Sequence, residues 1–131
     1  MEESRQNWYA LKVFYGKVFE IEARLADMDL ETYIPVRKDL LEGEDHMRAM
    51  RRLATPDDRR RDNQFVQAGP VIFKREPVVS SLLFVRSPAD RVGEIAKVVS
   101  GKGFVYQRAE GKAPAIIPDK QMAMFRLVCS S

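Results

Sequence analysis

The sequence predicts an α+β fold, an antiparallel sheet flanked by helices, on three observations. Residue periodicity alternates along the chain between strand-like and helix-like, in the order strand, helix, strand, insertion, strand or strands, helix, strand, helix. The first two long helical segments each carry one apolar stripe, and two helices crossing one face of a sheet bury both stripes. The first strand is largely apolar on both faces, so its second face needs covering too. Together these give a sandwich of ferredoxin-like type.

The first strand is predicted over Trp8 to Tyr15, rich in aromatic and β-branched residues. Alternation puts Tyr9, Leu11 and Val13 on one face and Trp8, Ala10, Lys12 and Phe14 on the other. After Gly16 the period changes. Val18, Ile21, Leu25 and Met28 form a helical stripe, with Glu20 and Arg24 spaced for an i,i+4 pair. Leu30 to Val36 is predicted as the second strand, ended by Pro35 and the charged Arg37 and Lys38.

Residues 37–69 mix acids and arginines with few strong β-formers and are predicted to be a charged, Arg-rich insertion, with a short helix over Glu44 to Ala54 and a second helix start at Thr55-Pro56. Strands then follow in VIFKREP and VVSSLLFVRS. Ser87-Pro88-Ala89-Asp90 has the composition of a helix start with Ser87 as cap, and Val92, Ile95, Ala96 and Val99 supply that helix's stripe. Gly101 and Gly103 stop it. Phe104 to Arg108 is a further strand, and Pro118-Asp119 opens a final helix bearing Met122, Met124, Phe125, Leu127 and Val128.

Composition limits the function classes. A chain of 131 residues, 45% hydrophobic and 31% charged, suits one domain with one core. Its net charge of +3 permits a nucleic-acid partner without requiring one. The single cysteine, Cys129, leaves no intrachain disulfide and points to a reducing, cytoplasmic setting. No apolar run approaches the ~20 residues that span a bilayer, so no membrane partner is expected.

Catalytic chemistry finds little support. His46 is the only histidine and has no nucleophile motif beside it. One histidine and one cysteine cannot make a zinc site of the usual four ligands. Acids such as Glu42, Glu44, Asp45, Asp57 and Asp58 are interleaved with arginines, as on a solvated charged face. Gly101-Lys102-Gly103 follows a helix instead of a strand, which fits a helix stop better than a phosphate loop. The expectation is a protein that is not an enzyme, with no cofactor, no metal and no small-molecule substrate.

Three stretches carry a resemblance. WYALKVFYGKVFEIEARLADMDLETYIPV, EPVVSSLLFVRSP and APAIIPDKQMAMF, in that order, resemble the N-terminal domain of NusG-like transcription factors. In that family a Trp-Tyr strand leads into an amphipathic helix, an apolar strand follows a Pro-Gly or Pro-Asn step, and a Pro-Ala-Ile segment opens a helix. The resemblance spans residues 7–131 apart from the insertion at 37–69. It implies an elongation or antitermination factor that binds the clamp helices of the largest RNA polymerase subunit, beside upstream and non-template DNA. Carried over by matching positions, the polymerase-binding residues are Leu82 and Phe84 on the apolar strand, Met122 and Phe125 on the final helix, and Lys12 on the first strand. Parity agrees, since Leu82 and Phe84 share a strand face and Met122 and Phe125 share a helix face. The alternative is that these four apolar residues pack on one another as core.

The departures also inform. Ser80-Ser81 replaces the Pro-Gly or Pro-Asn step, and Leu82 replaces an aromatic. Phe14 and Tyr15 stand where specialised members have basic residues, so sequence-specific DNA readout is not carried over. The insertion's arginines, Arg59, Arg60 and Arg61 foremost, are candidates for non-specific phosphate contact, set against a solvated, charge-balanced segment. The divergent motifs resemble a specialised paralogue dedicated to particular operons, and the family's KOW barrel is expected to be absent from this chain. Two other readings stay open: an RNA-binding module of RRM type, which shares the element order and to which Lys102-Gly103-Phe104-Val105-Tyr106 bears a partial likeness, and a homodimerising scaffold.

Overall fold

The computed structural model describes residues 5–54 and 63–129. Strand β1, Gln6–Val13, ends at a turn where Tyr15 and Gly16 both have positive φ, 61° and 65°, and the Lys17 N–H donates to the Phe14 carbonyl at 3.2 Å. Two positive φ values make this the twisted hairpin-type turn, which glycine adopts freely and tyrosine at a cost of about 1–2 kcal/mol. Helix α1, Val18–Asp27, follows and buries Val18, Ile21 and Leu25. It stops where Asp29 takes φ 60°, the Leu30 N–H reaching the Leu25 carbonyl and the Asp29 N–H the Ala26 carbonyl. That pair of bonds satisfies the helix's last carbonyls while Leu30 packs back into the core.

The predicted second strand splits at Ile34-Pro35 into β2, Glu31–Tyr33, and β3, Val36–Leu40, which belong to different sheets. Helix α2, Gly43–Leu53, then leads to β4, Phe65–Ala68, and β5, Val71–Pro77. Residues 37–69 thus contain strands that composition did not suggest. β5 pairs with β3 on one side and β4 on the other, and α2 covers the resulting small sheet by packing Ala49 and Leu53 on Ile72. Arg37 and Asp39 of β3 alternate with Leu41 on the face that carries Ile72 while Lys38 lies on the opposite face, so charge falls on both faces and hides the strand's character.

The main sheet is completed by β6, Leu82–Pro88, β7, Gly103–Val105, and β8, Ile116–Ile117. Its order is β2-β6-β1-β7, all antiparallel, with β8 also on β1. Between β6 and β7 lies a 3-10 turn, Ala89–Arg91, and helix α3, Val92–Val99. Helix α4, Asp119–Cys129, closes the described fold. This is the α+β sandwich expected from the sequence. Tyr9, Leu11, Val13, Leu83 and Val85 face α1 and α3 and form the main core with their stripes. Each such buried aliphatic side chain contributes about 1.5–3 kcal/mol of transfer free energy.

Two local expectations are corrected. Ser87 is not a helix cap: it is fully buried within β6, and its hydroxyl donates to the Pro88 carbonyl at 2.8 Å. Glu20 and Arg24 do not pair with each other: Glu20 meets Lys102 at 3.2 Å, and Arg24 donates to the Val98 carbonyl at 3.4 Å. Both find partners on or next to α3, because α3 lies beside α1 on the same sheet face.

Candidate functional site

Sheet register builds the outer face, the one turned away from α1 and α3. Across it run three rows of directly opposed residues: Glu31, Arg86, Trp8 and Ile117; then Tyr33, Phe84 and Ala10; then Leu82, Lys12 and Phe104. Opposed and alternate residues share a face, so all of these belong to one surface. Tyr106 joins it at the second row, its N–H donating to the Ala10 carbonyl at 2.9 Å.

Helix α4 lies over the first two rows. Met122 drops into contact with Trp8 and Phe84, and Tyr33, Leu82, Ile117 and Phe125 pack around them. Phe84 and Phe125 meet edge to face with centroids 5.4 Å apart, and Phe125 meets Tyr33 at 6.5 Å. Arg126, one turn after Met122, pins the same face of the helix to the sheet: its guanidinium sits 4.8 Å from the Trp8 ring centre and 5.0 Å from that of Tyr33, and it pairs with Glu31 at 3.1 Å. Arg86 approaches the same carboxylate at 3.5 Å. A carboxylate shared by two guanidiniums, one of them over the Trp8 and Tyr33 rings, orders this corner beside the apolar cluster.

The structure therefore brings Leu82, Phe84, Met122 and Phe125 into one cluster, and it divides them. Phe84 and Met122 are buried, 6% and 3% exposed, under α4. Leu82 and Phe125 are half-buried at the cluster's rim. Lys12, also half-buried, stands beside Leu82 where the cover ends, its ammonium 5.7 Å from the centre of the Phe14 ring. Arg59, Arg60 and Arg61 lie outside the described residues.

Sequence reasoning missed Tyr33, Ile117 and Arg126 as members of this surface. Tyr33 could have been found from its alternation with Glu31 along β2, and Arg126 from its place one helical turn after Met122. The third row, past Lys12, is left open by α4 and leads to Phe14, Phe104 and Tyr106, all exposed. Among the described residues no group of three histidines, cysteines or acids could hold a metal ion, and no helix is long and apolar enough to cross a membrane.

The family model for NusG, described as transcription termination factor NusG, matches residues 6–126, from the first residue of β1 to the arginine that pins α4. Neither a comparison with curated proteins nor one with solved structures yields a match. The matched span takes in every strand described above and most of α4, and that family is one of transcription factors, not of enzymes, whose members work with RNA polymerase. The chain belongs to the NusG family.

Proposed function

We propose that this domain docks on RNA polymerase through the outer sheet face, at the clamp helices of the largest subunit, and promotes processive elongation, with antitermination on dedicated operons. The observation carrying the reading is the rim of the α4 cluster, where Leu82 and Phe125 leave apolar surface half-open beside Lys12. A coiled coil presents a ridge of apolar side chains edged with charge, and a partly open apolar strip with a cation at its border complements it. Phe84 and Met122 support that strip from beneath. In this reading Arg59, Arg60 and Arg61 contact phosphates of nearby upstream or non-template DNA.

Binding of the whole chain to an isolated clamp-helix fragment tests the docking. Leu82→Ser and Phe125→Ser are expected to weaken it at least about tenfold, as apolar interface anchors do, while Met47→Ser on the exposed side of α2 leaves it unchanged. Parent-like affinity in both rim variants, with the fold verified by the emission of Trp8, would place the function elsewhere. Neutralising Arg59 to Arg61 should leave clamp-helix binding intact and flatten the salt dependence of duplex DNA binding.

A further inference from the structure

We infer that the open part of the outer face is a stacking platform for the bases of single-stranded RNA. Its rings run in a chain: Tyr15 to Phe14 with centroids 6.0 Å apart, Phe14 to Phe104 at 6.0 Å, and Phe104 to Tyr106 at 5.2 Å. The fold assembles this row deliberately in register. Phe104 stands opposite Lys12, Tyr106 opposite Ala10, and the Phe14 N–H donates to the Lys102 carbonyl, so residues from two strands and a turn meet on one face. None of the four rings is covered: they are 81%, 37%, 43% and 39% exposed in the order Tyr15, Phe14, Phe104, Tyr106. Tyr15 is displayed at positive φ, a conformation that costs a tyrosine energy and that nothing in the core repays.

Charge identifies the occupant. Lys12 lies over the Phe14 ring, and Lys17 ends the turn that carries Tyr15. Arg108 and Lys112 sit on the hairpin that leaves Tyr106, closed by the Arg108 N–H on the Ala113 carbonyl, with Glu110 the one acid between them, which leaves the hairpin a net +1. The acid near Lys102, Glu20, is already paired with it. Aromatic faces bordered by cations fit unstacked bases on a phosphate backbone, as they do in sheet-surface RNA modules and single-strand grooves. Each end of the row is a tyrosine, whose phenol can exchange hydrogen bonds with a ribose 2′-hydroxyl, a group that deoxyribose lacks. The inference accounts for the Lys102-Gly103-Phe104-Val105-Tyr106 stretch, which the polymerase reading leaves unused, and it does not depend on that reading.

Fluorescence anisotropy with a labelled oligouridylate of about ten nucleotides, at low salt, tests it, with oligothymidylate of the same length and the clamp-helix fragment as parallel probes. The expected result is oligouridylate binding that weakens with salt, exceeds oligothymidylate binding, and falls at least about fivefold in Phe104→Ala and in Tyr106→Ala. Phe104→Leu, which keeps apolar bulk without a ring face, is expected to lose as much as Phe104→Ala, separating stacking from packing. Absence of oligouridylate binding by the intact chain overturns the inference, as does unchanged binding in all three variants. Oligothymidylate bound as tightly or more tightly overturns the assignment to RNA. Variants that lose the clamp-helix fragment but keep RNA would assign the row to the polymerase instead.

Discussion

Arg75 on β5 grips Glu22 on α1 with both arms of its guanidinium, Nη1 to Oε1 at 2.9 Å and Nη2 to Oε2 at 3.0 Å. The same guanidinium lies 4.9 Å from the centre of the Phe19 ring and donates to the Asn63 carbonyl, while the Asn63 amide donates to Glu22 and to the Phe19 carbonyl. The pair is mostly buried, its side chains 17% and 14% exposed. It joins the small sheet to the main sandwich. Arg75→Lys keeps the charge but not the fork, and Arg75→Ala leaves Glu22 buried without its main partner. Urea denaturation is expected to show a loss of about 3 kcal/mol for the alanine variant, with the lysine variant between it and the parent.

Gly103 is required where β7 meets β1. A Cβ built there would stand 1.9 Å from the Lys12 carbonyl oxygen, a backbone atom fixed in the sheet. Gly103→Ala should therefore cost about 1–3 kcal/mol through forced separation of the strands, whereas Gly93→Ala, with open space at its Cβ, should not destabilise α3. Thermal unfolding of the two variants side by side checks the contrast.

Arg126→Gln removes a cation from above Trp8 and Tyr33 and an ion pair from Glu31. A loss of about 1 kcal/mol is expected. Because Trp8 is the chain's single tryptophan, a red shift of its emission at native conditions would report the loosening of α4 directly. An unshifted spectrum would mean that Met122 and Phe125 suffice to hold the helix.

Phe84 and Leu82 should separate stability from docking. Phe84→Ala excavates the α4 cluster and is expected to cost about 3–5 kcal/mol, while Leu82→Ala at the rim costs markedly less. Denaturation midpoints with unchanged m-values would verify that both changes act on the native state.

The sandwich was legible because its inner face is strictly periodic: Tyr9, Leu11 and Val13 alternate, and Val18, Ile21 and Leu25 repeat at helical spacing. The small sheet was not legible. Arg37, Lys38 and Asp39 pair with Glu76, Arg75 and Lys74, and a strand held by such cross-strand neighbours has no apolar alternation to reveal it. Parity placed Leu82 with Phe84 and helix spacing placed Met122 with Phe125, but how far α4 descends onto the sheet depends on Arg126 meeting Trp8, Tyr33 and Glu31, a convergence from three elements. Ser87 misled for a related reason: its residue type signals a cap, yet β6 continues through it.

The chain passes between its two sheets twice, outward at Ile34-Pro35 and back at Val78 to Ser81, and the Val78 N–H on the Pro35 carbonyl at 2.8 Å ties the two passages together. Crossings tied in this way make one joint between the two sheets, built from element-terminal residues. Arg75 on β5, three residues before Val78, adds its ion pair with Glu22 of α1 to this joint. The small sheet with α2 is therefore fastened to the main sandwich both by backbone and by the Arg75, Glu22 and Asn63 cluster, whose mostly buried ion pair is screened by salt far less than an exposed one.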